Sequence, residues 1–199
     1  PGTMPGYEPP VDASVDYEVE EARRLLAEIG YPDGKGLDGL IIQINNEGGH
    51  ELPAQFIKRQ WEEKLGVRVG IEAFEWGMHI QRRKSGDYSI ARAGWFSDYR
   101  DPMTFLELFE SDNSSNTTNY SNPEFDALLD AARQEADAEK RLRLLRQAEA
   151  ILLEDQPLAP IYQYTQLNLY RPEQVRKLHP NPAKVRRLEW VEVGNLNDQ

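Results

Sequence analysis

The chain opens its ordered pattern with a helical stripe. From Asp16 onward, Val19, Ala22, Leu26 and Ile29 recur at helical spacing, with acids (Glu18, Glu20, Glu21) ahead of Arg23 and Arg24. Gly30 and Pro32 end that helix, and YPDGKGLDG follows as a loop. Leu40 to Asn45 is a short apolar run rich in β-branched residues, the mark of a buried strand. A second helical stripe, Ala54, Ile57, Trp61 and Leu65, stops at Gly66. Val67 to Ala73 alternates with period two, a strand with one wet face. Trp76 to Lys84 reads as a short helix closed by Ser85 and Gly86, and Tyr88 to Ala93 as a third strand. The first half is thus αβαβαβ, the rhythm of an open α/β sheet flanked by helices.

The second half is mostly helical. Asp101-Pro102 predicts an N-cap and first turn for a helix carrying Phe105, Leu106 and Phe109. Residues 110–119 are a polar loop. Asn122-Pro123 repeats the start signal before Phe125, Leu128, Leu129 and Ala132. Asp137 caps a helix with Leu142, Leu145, Ala148 and Leu152 inward, broken by Pro157 and Pro160. Ile161 to Tyr170 and Leu188 to Val193 have strand character. There is no internal repeat.

Composition narrows the functional classes. The 199 residues carry 23 Lys and Arg against 34 Asp and Glu, a net charge of −11, which argues against nucleic-acid binding. No apolar run is long enough to cross a bilayer. The absence of cysteine removes disulfides, thiolate metal sites and thiol catalysis. The opening PGTMPGYEPP is a Pro/Gly connector with no signal-like apolar core, and reads as the edge of a segment from a longer protein.

Several chemical signals fail on inspection. His50, His79 and His179 have no metal-ligand spacing and read as surface or loop residues; neither a metal nor a cofactor is expected. Asp112 to Asn116 resembles the start of a calcium loop, but Thr117 and Pro123 stand where Gly and Glu are required. Sequons at Asn113, Asn116 and Asn119 follow from the loop's polar composition. There is no nucleophile elbow, P-loop or dinucleotide fingerprint. The runs Arg82-Arg83-Lys84 and Arg186-Arg187 are mostly solvated faces.

One stretch resists a bland reading. Residues 91–102, ARAGWFSDYRDP, follow the third strand, and open α/β sheets bind ligands beyond the carboxyl ends of their strands. Trp61 lies in a helical stripe and belongs to the core. Trp76 can be core or site. Trp95, behind Gly94, is placed to face a cleft. Asp98 is either a turn aspartate bonding its own backbone or a ligand contact.

This ordered set of passages resembles the C-terminal lobe of family 5 extracellular solute-binding proteins, the oligopeptide-binding components of bacterial ABC importers. The likeness runs through PGY, EEARRLLAEIGYPDG, WEEKLGVRV, ARAGWFSDYRDP, NYSNPEFDALL and PLAPIYQY. It implies one lobe of a type II periplasmic-binding-protein fold. Residues 1–14 would be a connector, 15–168 the ligand-binding lobe, and 169–199 a return segment towards an N-terminal lobe. It implies no enzymatic chemistry, an extracytoplasmic bacterial location, action as a monomer, and partnership with a peptide and a membrane permease.

The same resemblance assigns roles. Asp98 matches the aspartate that pairs with the ligand's α-ammonium, and Trp95 the tryptophan that packs on the ligand. Arg92 matches an arginine serving the ligand's C-terminal end. Trp76 and Arg83 match a further tryptophan and arginine of the site. Phe96 is a departure, since small or polar residues are common there. A peptide is a zwitterion with a generic backbone, so a broad binder should grip both termini and the main chain. Within the family a sugar, opine or nickel-complex binder is the rival; outside it, a hydrolase using Asp98 or Asp101, or a ligand-sensing regulator.

Overall fold

The computed structural model describes residues 4, 6–10, 18–164, 169–178 and 188–194. Helix α1 spans Val19–Glu28, strand β1 Leu40–Asn45, α2 Glu51–Leu65, β2 Val69–Phe74, α3 Trp76–Ser85 and β3 Ile90–Ala91. The three strands form a parallel sheet in the order β2-β1-β3. The path from β2 to β3 must therefore cross the central strand, and it does so through α3.

β1 explains the two faces. Leu40, Ile42 and Ile44 alternate onto one face and pack with Ala54, Ile57 and Trp61 of α2 and Leu26 of α1. Gln43 and Asn45 take the other face, yet both are buried. Buried amides need partners: those of Gln43 lie in α3, while Asn45 donates to the Glu47 carbonyl at 2.9 Å and accepts from Arg92 after β3. Val67 and Val69 complete the apolar cluster. At the close of α2, Gly66 has φ +69°, and a Cβ there would stand 2.2 Å from the Asp33 carbonyl oxygen. Only glycine allows that left-handed turn to pass so close to the preceding loop.

A second core lies among the C-terminal helices. Helix α4 is a single turn, Met103–Leu106, continued by a 3-10 turn over Glu107–Phe109; α5 spans Pro123–Gln134 and α6 Ala138–Asp155. Met103, Leu106, Phe125, Leu129, Ala132, Leu145, Ala148 and Leu152 form its buried cluster. The caps follow the sequence. The Asn122 side chain accepts from the Glu124 and Phe125 amides at 2.9 and 3.2 Å, and Asp137 accepts from Lys140 at 2.9 Å. Asp101 accepts from the Met103 amide at 2.9 Å and also holds Arg141 of α6 through two bonds, at 2.5 and 3.0 Å. That pair ties the segment after β3 to the helical core.

Several expectations change. Ile29 is exposed: it lies just past the end of α1, whose Leu26 is the residue that packs into the cluster. The third strand is two residues rather than Tyr88 to Ala93. The Arg92 amide still donates to the Gln43 carbonyl at 2.8 Å, but the Arg92 carbonyl is taken by a side chain, which ends the ladder. Residues 161–164 and 169–170 are not strand, and no strand among the described residues pairs with them; 165–168 lie outside the described residues. Leu188 to Val193 divides into a 3-10 turn, Leu188–Trp190, and strand β5, Glu192–Val193, antiparallel to β4, Val175–Arg176. The described part of the N-terminal connector is not free. Tyr7 bonds Glu149 and packs on the helical core, and Arg146 donates to the Glu8 carbonyl at 2.7 Å.

Candidate ligand-binding site

Arg92 stands just past the carboxyl end of β3. Its guanidinium reaches Asn45 at the end of β1 (3.5 Å), bonds the Tyr164 hydroxyl, and has its central carbon 5.8 Å from the Tyr164 ring centre. Tyr164 meets Tyr162 (5.0 Å) and His50 (6.5 Å) edge to face and Phe96 (5.5 Å) at a tilt. Arg83, on α3, donates to the Thr117 hydroxyl at 3.0 Å. Burial first, and then the nearby Arg92, lower its guanidinium from the ordinary value, against an opposing pull from Tyr88. Neither Arg83 nor Arg92 meets a carboxylate among the described residues. Two cations close enough to repel, without an internal anion, make a place for an external one.

Two tryptophans of the same segments are exposed. Trp76 opens α3, 49% exposed, its ring 6.0 Å from that of His79. Trp95 is 43% exposed. The Asp98 amide donates to the Thr104 hydroxyl at 3.2 Å, while its exposed carboxylate has no partner among the described residues. The self-bonded turn aspartate is therefore not what forms. Nor do the backbone groups of Ala93, Gly94 and Trp95 have hydrogen-bond partners among the described residues. A short main-chain edge thus lies between Arg92 and Asp98.

The structure brings Arg83 and Arg92 within electrostatic reach of each other. It leaves Trp95 and Asp98 on the same segment without a bond to either arginine among the described residues. Asn45, His50 and Tyr164 join Arg92 although the sequence reading left them out. Amides at alternate positions of an otherwise apolar β1 are a legible signal for Asn45; nothing local announces Tyr164, 72 positions from Arg92.

The histidines are corrected. His79 is fully buried and His50 nearly so, because each packs where strand ends meet helix starts. Burial, then Arg92, lowers His50; burial, with Arg83, Arg92 and His50 beside it, lowers His79 despite the opposing Arg92 carbonyl. His179 lies outside the described residues. Of the sequons, Asn116 is committed: its amide donates to the Phe109, Glu110 and Tyr120 carbonyls at 3.3, 3.1 and 2.8 Å.

Arg92, the free main chain of Ala93 to Trp95 and the exposed ring of Trp95 thus follow one another just past the carboxyl end of a parallel strand, the place where open α/β sheets bind solutes. The chain belongs to the bacterial extracellular solute-binding proteins, family 5, whose central model matches residues 1–117. It is 37% identical over 171 residues to the oligopeptide-binding protein OppA of Bacillus subtilis, covering 83% of this chain and 31% of that one. It is 34% identical over 154 residues to the probable deoxycholate-binding periplasmic protein YgiS of Escherichia coli, covering 77% and 29%. The solved murein tripeptide-binding protein MppA of Escherichia coli superposes with TM-score 0.87 at 32% identity, covering 97% of this chain and 38% of that one. The chain therefore spans about a third of the length of such relatives. The family is one of binding proteins, and the open α/β architecture is that of periplasmic binding proteins.

Proposed function

We propose that this chain is the C-terminal lobe of a peptide-binding protein that serves a bacterial ABC importer outside the cytoplasm. Residues 15–168 form the lobe, with 1–14 as connector and 169–199 returning towards a second lobe. The protein works as a monomer and hands its peptide to a membrane permease. One observation carries the reading: the unpaired main chain of Ala93 to Trp95 lies between a cation, Arg92, and an anion without partner, Asp98. A zwitterionic peptide offers the complement of all three. Its backbone adds along the edge, its ammonium pairs with Asp98, and its carboxylate goes to Arg92 and Arg83. Trp76 and Trp95 offer faces that accept varied side chains.

The relative named for deoxycholate favours a second reading, because a bile acid has a carboxylate and no ammonium. Calorimetry on the intact protein separates the two. Trialanine should bind at least about tenfold more tightly than N-acetyl-trialanine, since removing one partner of a desolvated ion pair costs about 2–5 kcal/mol. Equal affinity for the two peptides removes Asp98 from the ammonium role and moves the site towards carboxylates alone.

A further inference from the structure

Beneath the proposed site runs a buried polar chain that ligand binding does not itself explain. The Arg82 Nε donates to Gln43 Oε1 at 2.8 Å. Gln43 Nε2 lies 3.1 Å from His79 Nδ1 and donates to the His79 carbonyl at 3.2 Å. His79 Nε2 lies 3.0 Å from the Arg92 carbonyl oxygen. Gln43 and His79 are both almost without solvent contact.

The protons in this chain can be assigned. Arginine only donates and carbonyls only accept, so Gln43 must turn its oxygen to Arg82 and its NH2 to His79. The Arg92 carbonyl requires a hydrogen on His79 Nε2. The NH2 of Gln43 requires a lone pair on Nδ1. Only the neutral Nε2–H imidazole meets both demands. A proton on Nδ1 would set N–H against N–H. Turning the Gln43 amide over to relieve that clash would set its NH2 against Arg82 and strip the His79 carbonyl of its side-chain donor.

What the ring holds is the point where the binding segment begins. Its bond to the Arg92 carbonyl ends β3 and releases Ala93 to Trp95 from the sheet. Trp76, on the same face of α3, lies against the ring.

We propose that His79 is a positioning residue for the ligand site, and that its neutral Nε2–H form is the state in which Arg92 and the free edge after it are set for binding. This rests on the peptide reading for its ligand but not for its geometry. The surroundings bear on the charge in one direction. Arg82 and Arg83 of its own helix, Arg92 after β3 and His50 before α2 are cationic or titratable. β1 offers the neutral amide of Gln43. Glu75 opens α3, but its carboxylate caps the Gly77 and Met78 amides, and only its carbonyl meets the His79 amide, at 2.9 Å. No carboxylate bonds the ring among the described residues. Acidification thus opposes the assembled state, and Gln43→Glu should reverse the sense. A glutamate can accept from Arg82 and from a protonated Nδ1, so the charged ring then has an acceptor at each nitrogen, although the His79 carbonyl loses the hydrogen bond that Gln43 gave it.

The test uses the intact protein and two readouts. Ring ¹⁵N NMR, which needs no ligand, should show the Nε2–H tautomer for His79 at about pH 7. Its titration on acidification should share a midpoint with shifts in the Gly94 and Trp95 amides. Calorimetry with trialanine should show affinity falling about fivefold or more through that midpoint, on the scale of one buried group losing its partner. In Gln43→Glu the ring should be doubly protonated at about pH 7, and affinity should fall as pH rises through the new midpoint. His79→Phe should lose about tenfold at neutral pH; should it not fold, Gln43→Glu decides alone. An Nδ1–H tautomer, amides indifferent to the ring's titration, or the same pH profile in Gln43→Glu would overturn the proposal. If trialanine binds none of these proteins while ring and amides still titrate together, the peptide reading fails and the positioning role stands.

Discussion

Asp101 joins the binding segment to the helical core, and its replacement can be worked through quantitatively. It accepts from the Met103 amide at 2.9 Å and takes both Arg141 nitrogens, at 2.5 and 3.0 Å, with only about a quarter of either side chain exposed (25% and 27%). Asp101→Asn keeps an oxygen for the cap but loses the charge and turns an amide NH2 towards the guanidinium. Exposed ion pairs contribute about 0–1 kcal/mol, and breaking buried ones costs about 3–5 kcal/mol. A mostly covered, two-pronged pair falls between, at about 2 kcal/mol. With a urea slope near 2 kcal/mol/M, the unfolding midpoint should drop by about 1 M at neutral pH. Burial pushes the Asp101 carboxyl up, but its bonds to Arg141 and to the Met103 amide outweigh that and hold it below its ordinary 3.8. Because the folded-state value is the depressed one, the stabilisation is complete above the unfolded value and is lost as pH falls through the folded one. The gap between wild type and variant should therefore be full near pH 7 and close below about pH 4. Urea titrations at several pH values, followed by tryptophan fluorescence, read this directly. A gap that persists unchanged in acid, or none at neutral pH, refutes the electrostatic account of this contact.

Two further substitutions test the cores. Gly66→Ala would place a Cβ 2.2 Å from the Asp33 carbonyl oxygen in a left-handed conformation, so it should destabilise by about 3 kcal/mol or more in chemical denaturation; a change under about 1 kcal/mol would mean the loop yields freely. Leu129→Ala removes a side chain with no solvent contact from the helical core and should cost about 2–5 kcal/mol by the same assay, with the ring signal of His79 unchanged because that residue belongs to the other layer.

Much of the helical and strand pattern was legible because it follows from local periodicity. Leu40–Asn45 forms as a strand over the range its β-branched run marks, and α2, α3, α5 and α6 stop where glycine, proline and cap residues place their ends. Asp98 and Trp95 stand out through their setting after a strand and through the family resemblance, and both are exposed. The shortening of β3 was not legible. It depends on the His79 ring taking the Arg92 carbonyl, a contact across 13 positions that no local pattern encodes. The same holds for Tyr164, whose hydroxyl meets Arg92 across 72 positions.

The sequence by itself therefore determined where most of the helices and the first strands form, and that the chain has an open α/β half and a helical half. Those properties depend on residues near one another along the chain: hydrophobic spacing, capping side chains and turn glycines. Tertiary structure decided which distant groups meet Arg92, and which polar partners surround the buried ring of His79. Those depend on desolvation and on donors meeting acceptors across elements, and neither exists until β1, α3 and the segment after β3 are packed together.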